Sequence, residues 1–319
     1  MTKQEMIRQA QFLRSRDAFG AFSEEELAAL PGTETVLDIP SDHGGSVRVY
    51  EIRPSTPLSS PAPMVINFHG GGFIKGRSAR DKRYCCFLAE ALSCLVWDVD
   101  YVLAPEAPFP AAVDQCYDVA AYVFSHTEVL GVHPGRIAVV GHSAGGNLAA
   151  AIQVKDAAIG KLHPCGVIME YFPGDHTADP MDRLTAEQRQ DPRATARAET
   201  ERLYQAFYCD ASSAGSPLCS PLKAARQELE HFPDCLVLSA GLDSLKEETE
   251  AFAAMLVQAG VTVTAKRIPG AMHGFSVNRT DKWEQALSLH REFLSRQFGR
   301  IPQGAGHPDS AAVPNHKPY

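Results

Sequence analysis

The chain has 319 residues, of which 45% are hydrophobic and 21% are charged, as in ordinary globular proteins. Its formal net charge of −8 argues against nucleic acid or an anionic membrane as the main partner. Charges interrupt residues 1–19, which therefore lack the apolar core of a signal peptide, and no segment is apolar for long enough to span a bilayer. We therefore predict a cytoplasmic protein without a membrane partner, and the sequence leaves a homodimer open.

Strand and helix patterns alternate along most of the chain. Residues 3–18 are predicted to be helical, and Ser23 with Glu26 has the spacing of a capping box for a short helix that ends near Pro31. Apolar, β-branched segments predict strands at 33–39, 46–52, 64–69, 94–100, 136–141, 165–172, 235–240 and 261–268. Helical patterns separate the later strands, at 80–91, 111–127, 144–157, 246–259 and 281–297.

This alternation predicts an α/β fold with a mostly parallel eight-stranded sheet flanked by helices. The first two strands lie close together around residues 42–46, which indicates an antiparallel start to the sheet. A polar insertion at about 173–216, with a predicted helix at 195–208, interrupts the alternation. The tail 299–319 is rich in Gly, Pro and His, and we expect it to be disordered.

The eight cysteines show neither a CxxC pair nor a metal-type spacing with histidine. They are expected to be reduced thiols without a disulfide or metal role. The neighbouring pair Cys85 and Cys86 falls in a helical pattern, where packing is the plainer interpretation and redox sensitivity the alternative. No metal or other cofactor is predicted.

A serine stands in the turn between the predicted strand 136–141 and the next helix. Residues 141–145 read Gly-His-Ser-Ala-Gly, which is the GxSxG pattern. A sharp turn of this kind lifts the hydroxyl of Ser143 clear of its neighbours, and the free N–H groups of the helix face developing negative charge. The pattern alone is weak, because an ordinary glycine-rich turn has the same sequence.

Three glycines follow the predicted strand at 64–69, where residues 69–73 read His-Gly-Gly-Gly-Phe. A plain loop and a phosphate cradle are alternatives, although the GxxxxGK[ST] pattern of a P-loop is absent here. Acyl transfer needs backbone N–H groups that reach an oxyanion, and glycines leave that approach open. With GxSxG about seventy residues later, the motif predicts nucleophilic catalysis by Ser143.

Taken together, the motifs resemble those of the hormone-sensitive lipase family of α/β-hydrolase carboxylesterases. They keep the order and spacing of that family and cover the chain from about residue 60 to 297. The resemblance implies an α/β-hydrolase fold and a serine esterase. The matching segments are HGGGF (69–73), DYVLAPEAPFPAAVDQC (100–116), GHSAGGNLAA (141–150), GLDSLKEE (241–248) and GAMHGF (270–275).

The resemblance also assigns a catalytic triad in the chain order that this fold uses. Ser143 is the implied nucleophile, Asp243 the acid and His273 the base. Both Asp243 and His273 follow apolar strands, where α/β sheets place their sites. From the residues alone, Asp243 is equally a candidate N-cap for the helix 246–259, and His273 a loop histidine without a task.

The same resemblance implies an oxyanion hole made by the backbone N–H groups of Gly71, Gly72 and Ala144, with His69 orienting the loop. The segment 100–112 would then shape the wall beside the site, with its Glu106 satisfied by an ion pair or hydrogen bond.

Two positions depart from the family pattern. His142 stands where the family usually has Asp, Glu or Thr, and we favour packing over tuning of the site as its role. The family's DPLxDE pattern reads Asp-Ser-Leu-Lys-Glu-Glu at 243–248, which keeps the acid but loses the rigid proline.

The implied function is hydrolysis of short- to medium-chain acyl esters through an acyl-enzyme, with a small-molecule ester as substrate. An amidase or formamidase on the same scaffold is the alternative. A catalytically silent ligand-binding receptor would need a damaged triad, and a lipase acting on membranes would need an amphipathic anchor that is not evident.

The N-terminal segment 1–45, with its helices and first strand, and the insertion 173–216 would form a cap over the catalytic domain 46–298. Both parts need a surface to pack on, because each has apolar residues at helical spacing. Packing of the N-terminal helices on the back of the sheet is the alternative. The apolar residues are Met6, Ala10 and Phe12 in the first part and Leu203, Ala206 and Phe207 in the second.

Overall fold

One eight-stranded sheet forms the centre of the molecule. The computed structural model describes residues 1–15, 22–43 and 45–299. All eight predicted strands are present, and only β5 begins several residues earlier than predicted. The strands are β1 (Thr33–Pro40), β2 (Ser46–Arg53), β3 (Ala62–Phe68), β4 (Leu95–Asp100), β5 (Val132–His142), β6 (Gly166–Glu170), β7 (Cys235–Ala240) and β8 (Val263–Ile268).

The strands lie in the order β1-β2-β4-β3-β5-β6-β7-β8. β2 is antiparallel to both of its neighbours, β1 and β4, and all other neighbouring pairs are parallel. The predicted mostly parallel sheet with an antiparallel start is therefore confirmed. Because the parallel strands share one direction, the loops that follow β3, β5, β7 and β8 emerge along the same edge.

The central strands are mostly apolar and buried along their whole length because helices cover both faces of the sheet. Every residue of β3, β6 and β7 is buried, and fully buried side chains such as Phe68 and Trp97 fill the core. Each such side chain stabilises the fold by about 1.5–3 kcal/mol relative to its exposed state. The edge strand β8 buries only Ile268. The burial thus rigidifies the strands whose ends carry the predicted site.

Eleven α-helices accompany the sheet in the described part of the chain, and they include every helix that the sequence pattern predicts. The four-residue helices α5, α8 and α10 escaped prediction because they are too short to show a helical periodicity. The helices are α1 (Lys3–Ser15), α2 (Glu24–Ala28), α3 (Ala79–Leu92), α4 (Ala111–Ser125), α5 (Thr127–Leu130), α6 (Ala144–Asp156), α7 (Pro192–Tyr208), α8 (Arg226–Leu229), α9 (Lys246–Gln258), α10 (Phe275–Asn278) and α11 (Trp283–Gly299).

The capping box predicted before α2 is confirmed. The Glu26 N–H donates to Ser23 Oγ at 3.1 Å, and the Ser23 N–H donates to Glu26 Oε2 at 2.8 Å. These two bonds satisfy donors that a helix N-terminus otherwise leaves without partners.

Helix α1 packs on the molecule through Ala10, which is buried, with Met6 and Leu13 beside it. The inclusion of Phe12 in this face was wrong, since its side chain is 57% exposed. The spacing explains the difference: positions 6, 10 and 13 share one side of a helix, and position 12 is rotated away from it. The predicted helical residues 16–18 lie outside the described residues.

The insertion after β6 contains two short 3-10 helices, Pro180–Arg183 and Gln188–Gln190, followed by α7. On α7, Phe207 is buried and Leu203 packs against the core, as predicted. Ala206 is exposed, so its assignment to the apolar face was wrong. The neighbouring residue Tyr208 is buried instead.

Seven of the eight cysteines are buried, and Cys165 is half-buried. Cys85 and Cys86 lie on α3, and burial raises the pKa of both thiols, which disfavours the reactive thiolate. Their packing role is therefore the interpretation that the surroundings support.

The predicted tail begins at Gly299, which ends α11, and its remaining residues 300–319 lie outside the described residues. Within residues 1–15, 22–43 and 45–299, no helix combines the length and the apolar character that a membrane span requires.

Candidate active site

Ser143 occupies a sharp turn between β5 and α6. Its backbone has φ 53° and ψ −121°, a strained positive-φ conformation that agrees with the sharp turn predicted from the sequence. Glycine is required on both sides of the turn: a Cβ on Gly141 would overlap the carbonyl of Gly145, and a Cβ on Gly145 would overlap the carbonyl of Phe68. The Ser143 N–H donates to the Glu170 carbonyl at 3.0 Å. The turn is thus held on both sides, and a strained backbone of this kind is typical of a functional position.

Three loops bring Ser143, His273 and Asp243 into one line of hydrogen bonds. Ser143 Oγ lies 2.8 Å from His273 Nε2, and His273 Nδ1 lies 2.7 Å from Asp243 Oδ2. Asp243 follows β7 and His273 follows β8, as the sequence pattern predicts. Both distances are within hydrogen-bond range, so the imidazole can accept a proton from the hydroxyl while the carboxylate holds its other nitrogen.

The carboxylate of Asp243 stays ionised despite complete burial of its side chain. Burial opposes ionisation, but His273 and the Arg197 guanidinium hold the pKa of Asp243 below its ordinary value. Asp243 fulfils its alternative role, that of N-cap for the helix that follows, only in part. Leu245 is the N-cap of α9, and its N–H reaches Asp243 Oδ1 at 3.4 Å.

The glycine loop after β3 has left-handed backbone at Gly71 and Gly72, with φ 127° and 62°. The Gly71 carbonyl accepts the Lys75 N–H at 2.9 Å, which closes the loop into a tight turn. Within the described residues, the N–H groups of Gly71, Gly72 and Ala144 donate to no protein acceptor. Such N–H groups beside a hydroxyl nucleophile are the donors that a tetrahedral oxyanion needs.

Tyr101 and the residues after it support the glycine loop from behind. The ring of His69 stacks on Tyr101 with 4.3 Å between centroids, and Tyr101 Oη donates to the His69 carbonyl at 2.8 Å. The Ala104 N–H donates to the Phe73 carbonyl at 2.9 Å. The segment 100–112 thus braces the loop, whereas the described residues that line the cavity beside Ser143 come from other segments.

Glu106, in the same segment, has the predicted ion pair. Its carboxylate binds Arg14 of α1 at 2.7 Å. Arg14 Nε also donates to the Ile74 carbonyl at 2.6 Å, directly after the glycine loop. Helix α1 is therefore tied to the back of this loop.

A cavity of about 290 Å³ opens over Ser143 and His273. The glycine loop forms one wall, and α7 forms another through Thr200 and Tyr204. Tyr204 lies so close to Gly72 that a Cβ on this glycine would overlap the ring. No sequence pattern signalled Tyr204, because an aromatic residue in an amphipathic helix is most often part of a core.

Comparison with known proteins decides the family. A family model described as the alpha/beta hydrolase fold matches residues 65–277. The arylesterase of Saccharolobus solfataricus is 30% identical over 214 residues, which span 66% of this chain and 68% of that protein. The hormone-sensitive lipase of Mus musculus is 37% identical over 123 residues, which span 38% of this chain and 16% of that protein. The structural match to the hyperthermophilic esterase from Pyrobaculum calidifontis covers 92% of both chains, with 29% sequence identity and a TM-score of 0.76. The chain belongs to the hormone-sensitive lipase family of α/β-hydrolase carboxylesterases.

Membership in this family makes the protein a carboxylic ester hydrolase, and its two departures from the family pattern can be located. His142 is buried, and its Nε2 lies 3.3 Å from Glu170 Oε2, with His290 Nε2 at 3.0 Å from Oε1. Ser276 Oγ donates to the same carboxylate at 2.5 Å. Burial lowers the pKa of His142 to about 4, so the ring packs as a neutral group, which agrees with the favoured interpretation.

Glu170 was not singled out from the sequence of this esterase, although a charged residue at the end of an apolar strand was a signal. Its carboxylate, His142 and His290 place their ligand atoms within 4.8 Å of one another. Burial opposes ionisation of Glu170, but His290, His142 and Ser276 lower its pKa overall. The His290 ring and the Ser276 hydroxyl are thus the contacts that favour the ionised form of this buried carboxylate.

The second departure, Ser244, uses its hydroxyl in a contact that proline lacks. Ser244 Oγ donates to Glu201 on α7 at 3.0 Å. Arg197, one helical turn before Glu201, places a guanidinium nitrogen 3.5 Å from Asp243 Oδ1. Neither α7 residue was predicted, since only the fold brings the insertion to this loop.

Proposed function

We propose that this carboxylesterase hydrolyses short- to medium-chain acyl esters of small molecules through an acyl-enzyme on Ser143. The observation that carries the proposal is the pair of hydrogen bonds from Ser143 Oγ to His273 Nε2 and from His273 Nδ1 to Asp243, at 2.8 and 2.7 Å. These distances support the assignment of Ser143 as nucleophile, His273 as base and Asp243 as the acid that orients it.

In this mechanism His273 Nε2 takes the proton as Ser143 Oγ attacks the ester carbonyl. The N–H groups of Gly71, Gly72 and Ala144 hold the oxyanion of the tetrahedral intermediate. The imidazolium then returns the proton to the alkoxide, and the alcohol leaves an acyl group on Ser143. Water repeats the cycle and releases the carboxylic acid. Asp243 stays ionised and stabilises the imidazolium at each step.

The preference for short and medium acyl chains rests on the cavity over Ser143. A volume of about 290 Å³ lies at the small end of ligand pockets. Tyr204 packs directly on Gly72 of the glycine loop, and both residues line the cavity. We infer that this contact limits the depth of the acyl pocket. Part of a long acyl chain would remain exposed to water. Each exposed CH₂ group loses about 0.8 kcal/mol of the binding free energy that burial in a deeper pocket would provide.

We further propose the domain organisation that follows from this site. Residues 46–298 carry the catalytic machinery, and residues 1–45 with the insertion 173–216 form a cap. The contribution of α7 to the cavity wall supports the role of the insertion. The bonds of Arg14 to Ile74 and Glu106 support an N-terminal contact with the glycine loop.

The test of the nucleophile is Ser143→Ala, with Ser125→Ala on the surface of α4 as the matched control. We expect Ser143→Ala to lower kcat for p-nitrophenyl butyrate by at least about a thousandfold. A fluorophosphonate probe should label the wild type and the control, and leave Ser143→Ala unlabelled. Full activity of Ser143→Ala would overturn the proposed mechanism.

The test of acyl length is a series of butyrate, octanoate and palmitate esters, with the butyramide as an amide arm. We expect kcat/KM to be highest for butyrate or octanoate and to fall steeply at palmitate. A preference for palmitate would contradict the short-acyl assignment. Faster turnover of the amide than of the matched ester would favour the amidase.

A further inference from the structure

A cluster of alternating charges joins α7 to the loop that carries Asp243. Arg197 lies between two carboxylates: its Nε is 2.9 Å from Glu201 Oε1, and its terminal nitrogen is 3.5 Å from Asp243 Oδ1. Glu201 in turn accepts the Ser244 hydroxyl at 3.0 Å. Helix α7 thus contacts two successive residues of the acid loop, once through a cation and once through a hydrogen bond.

The other end of the cluster connects α7 to the start of the insertion. Arg183 Nε lies 2.5 Å from Glu248 Oε1, and another guanidinium nitrogen lies 3.6 Å from Glu201 Oε2. Glu248 Oε2 accepts the N–H groups of Gly174 and Asp175 at 2.8 and 3.1 Å. The insertion, α7 and the first turn of α9 are therefore held by one set of polar contacts.

The two oxygens of Asp243 have different partners. Oδ2 lies 2.7 Å from His273 Nδ1. Oδ1 lies 3.5 Å from a guanidinium nitrogen of Arg197 and accepts the Leu245 N–H at 3.4 Å. Both Oδ1 contacts are long, so the guanidinium acts on this oxygen mainly through its charge. A buried carboxylate needs such compensation, because the Asp243 side chain has no exposure to water.

The family's proline at position 244 would stiffen this loop through its own ring. Here a serine occupies the position, and the hydrogen bond to Glu201 connects the loop to α7 instead. The orientation of the acid therefore depends on a helix that also forms the cavity wall through Thr200 and Tyr204.

We propose that Arg197 is a positioning residue for Asp243, and that docking of the cap helix α7 completes the triad. The inference rests on the proposed triad mechanism and extends it to a residue outside the catalytic domain. The Arg197 cation holds Oδ1 and leaves Oδ2 aimed at His273. It also disfavours a second positive charge on the imidazole next to it.

The pH dependence also involves the other charged or titratable groups near the Asp243–His273 pair. On α7 these are Arg197 and Glu201, and on the insertion Arg183. On α9 they are Lys246 and Glu248, and after β6 the phenol of Tyr171, whose ring is 5.0 Å from that of His273. Arg197 is the cation that contacts the Asp243 carboxylate. Without this charge, the Asp243–His273 pair should remain protonated up to a higher pH.

The experiment compares Arg197→Gln, Arg197→Lys and the control Arg202→Gln in the full-length enzyme. Arg202 lies on the same helix, pairs with Asp179 and is half exposed. For p-nitrophenyl butyrate between pH 5 and 9, we expect Arg197→Gln to lower plateau kcat/KM about tenfold. The midpoint of the acid limb of the pH profile should rise by about 0.3–1 pH unit. This expected shift is small because the Arg197 side chain is 37% exposed and water screens part of its charge. Arg197→Lys should keep the midpoint, and Arg202→Gln should match the wild type.

Wild-type kcat/KM and an unmoved acid limb in Arg197→Gln would overturn the inference. So would an equal loss in Arg197→Gln and Arg197→Lys with an unmoved limb, since that result assigns Arg197 to folding of the cap alone. The rate of fluorophosphonate labelling at Ser143 provides a substrate-independent readout and should fall in Arg197→Gln. If wild-type activity did not depend on Ser143, the proposed function itself would fail, and Ser143→Ala detects that separately.

Discussion

At the scale of single residues, the proposed site combines a serine on a strained backbone with a buried carboxylate. Ser143 is held at positive φ by the packed glycines around it, and Asp243 is buried without losing its charge. The fold tolerates the backbone strain because the neighbouring strands are rigid. It tolerates the buried charge because the carboxylate has three cationic or donor partners, the His273 ring, the Arg197 guanidinium and the Leu245 N–H. Substitutions at these residues should therefore affect chemistry more than stability.

The acid gives the first residue-scale prediction. Asp243→Asn should lower kcat by about a thousandfold or more, because the amide cannot both hold the His273 ring and balance the imidazolium charge. Asp182→Asn removes an exposed carboxylate of the insertion and serves as the control. Near wild-type kcat in a folded Asp243→Asn protein would mean that Asp243 only caps the start of α9.

The glycine loop gives a second prediction. Gly72→Ala places a methyl group against the Tyr204 ring on a backbone of φ 62°, so it should displace α7 or the loop and reduce kcat about tenfold or more. In the double variant Gly72→Ala/Tyr204→Ala the overlap is gone and only the backbone strain remains. We expect part of kcat to return relative to Gly72→Ala. No recovery at all would show that the strain, and not the ring, dominates.

At the scale of secondary structure elements, the two segments of the proposed cap contact different parts of the molecule. Helix α7 lines the cavity, whereas α1 reaches the glycine loop from behind through Arg14. Amphipathic periodicity places the buried stripe of α1 on Met6, Ala10 and Leu13. The two elements should therefore contribute to different kinetic parameters.

Removal of residues 1–30 tests this difference. We expect a fall in kcat, since the Ile74 carbonyl loses the Arg14 bond that braces the loop. The ratio of butyrate to octanoate turnover should change little if α7 sets the acyl pocket. The truncation must keep its sheet by circular dichroism for the comparison to count. A large change in acyl preference with unchanged kcat would instead place the N-terminal segment in the pocket wall.

At the scale of the whole molecule, buried histidines make stability depend on pH. Burial lowers the pKa of both His142 and His176 to about 4 from the ordinary 6.5, the latter with the help of Arg183. Each ring is neutral in the folded protein and takes up a proton in the unfolded chain below about pH 6.5. The stability is therefore fully present above pH 6.5 and is lost as the pH falls toward 4.

Denaturant unfolding between pH 4.5 and 6.5 measures this loss. Each histidine should contribute a slope of about 1.4 kcal/mol per pH unit at most. His176→Phe should remove one such contribution, because a phenyl group does not titrate and can pack beside the stacked rings of Phe73 and Tyr208, as the His176 ring does. His163→Phe, at an exposed position, is the control. Acids such as Asp81 and Glu248 add opposite slopes that are common to all variants and cancel in the comparison. An identical slope in His176→Phe and the wild type would contradict the prediction.

The sequence by itself determined the strands, the long helices, the glycine loop and the turn at Ser143. The physical reason is that each depends on residues that are close in the chain. Apolar runs define the buried strands. Ser23 and Glu26, three residues apart, form the capping box of α2, and Gly141 and Gly145 permit the turn at Ser143. The family resemblance added His273 and Asp243, whose positions after strands were consistent with it.

The tertiary structure alone decided which distant residues complete the site. Arg197 and Tyr204 lie in an insertion without a motif, and they reach Asp243 and Gly72 only because α7 folds back over the ends of the strands. The same reason explains the error at Ala206, whose burial depends on how α7 is rotated against its neighbours, whereas the error at Phe12 follows from the helical spacing of α1 itself. Local patterns specify which elements form, and packing between elements specifies which side chains meet.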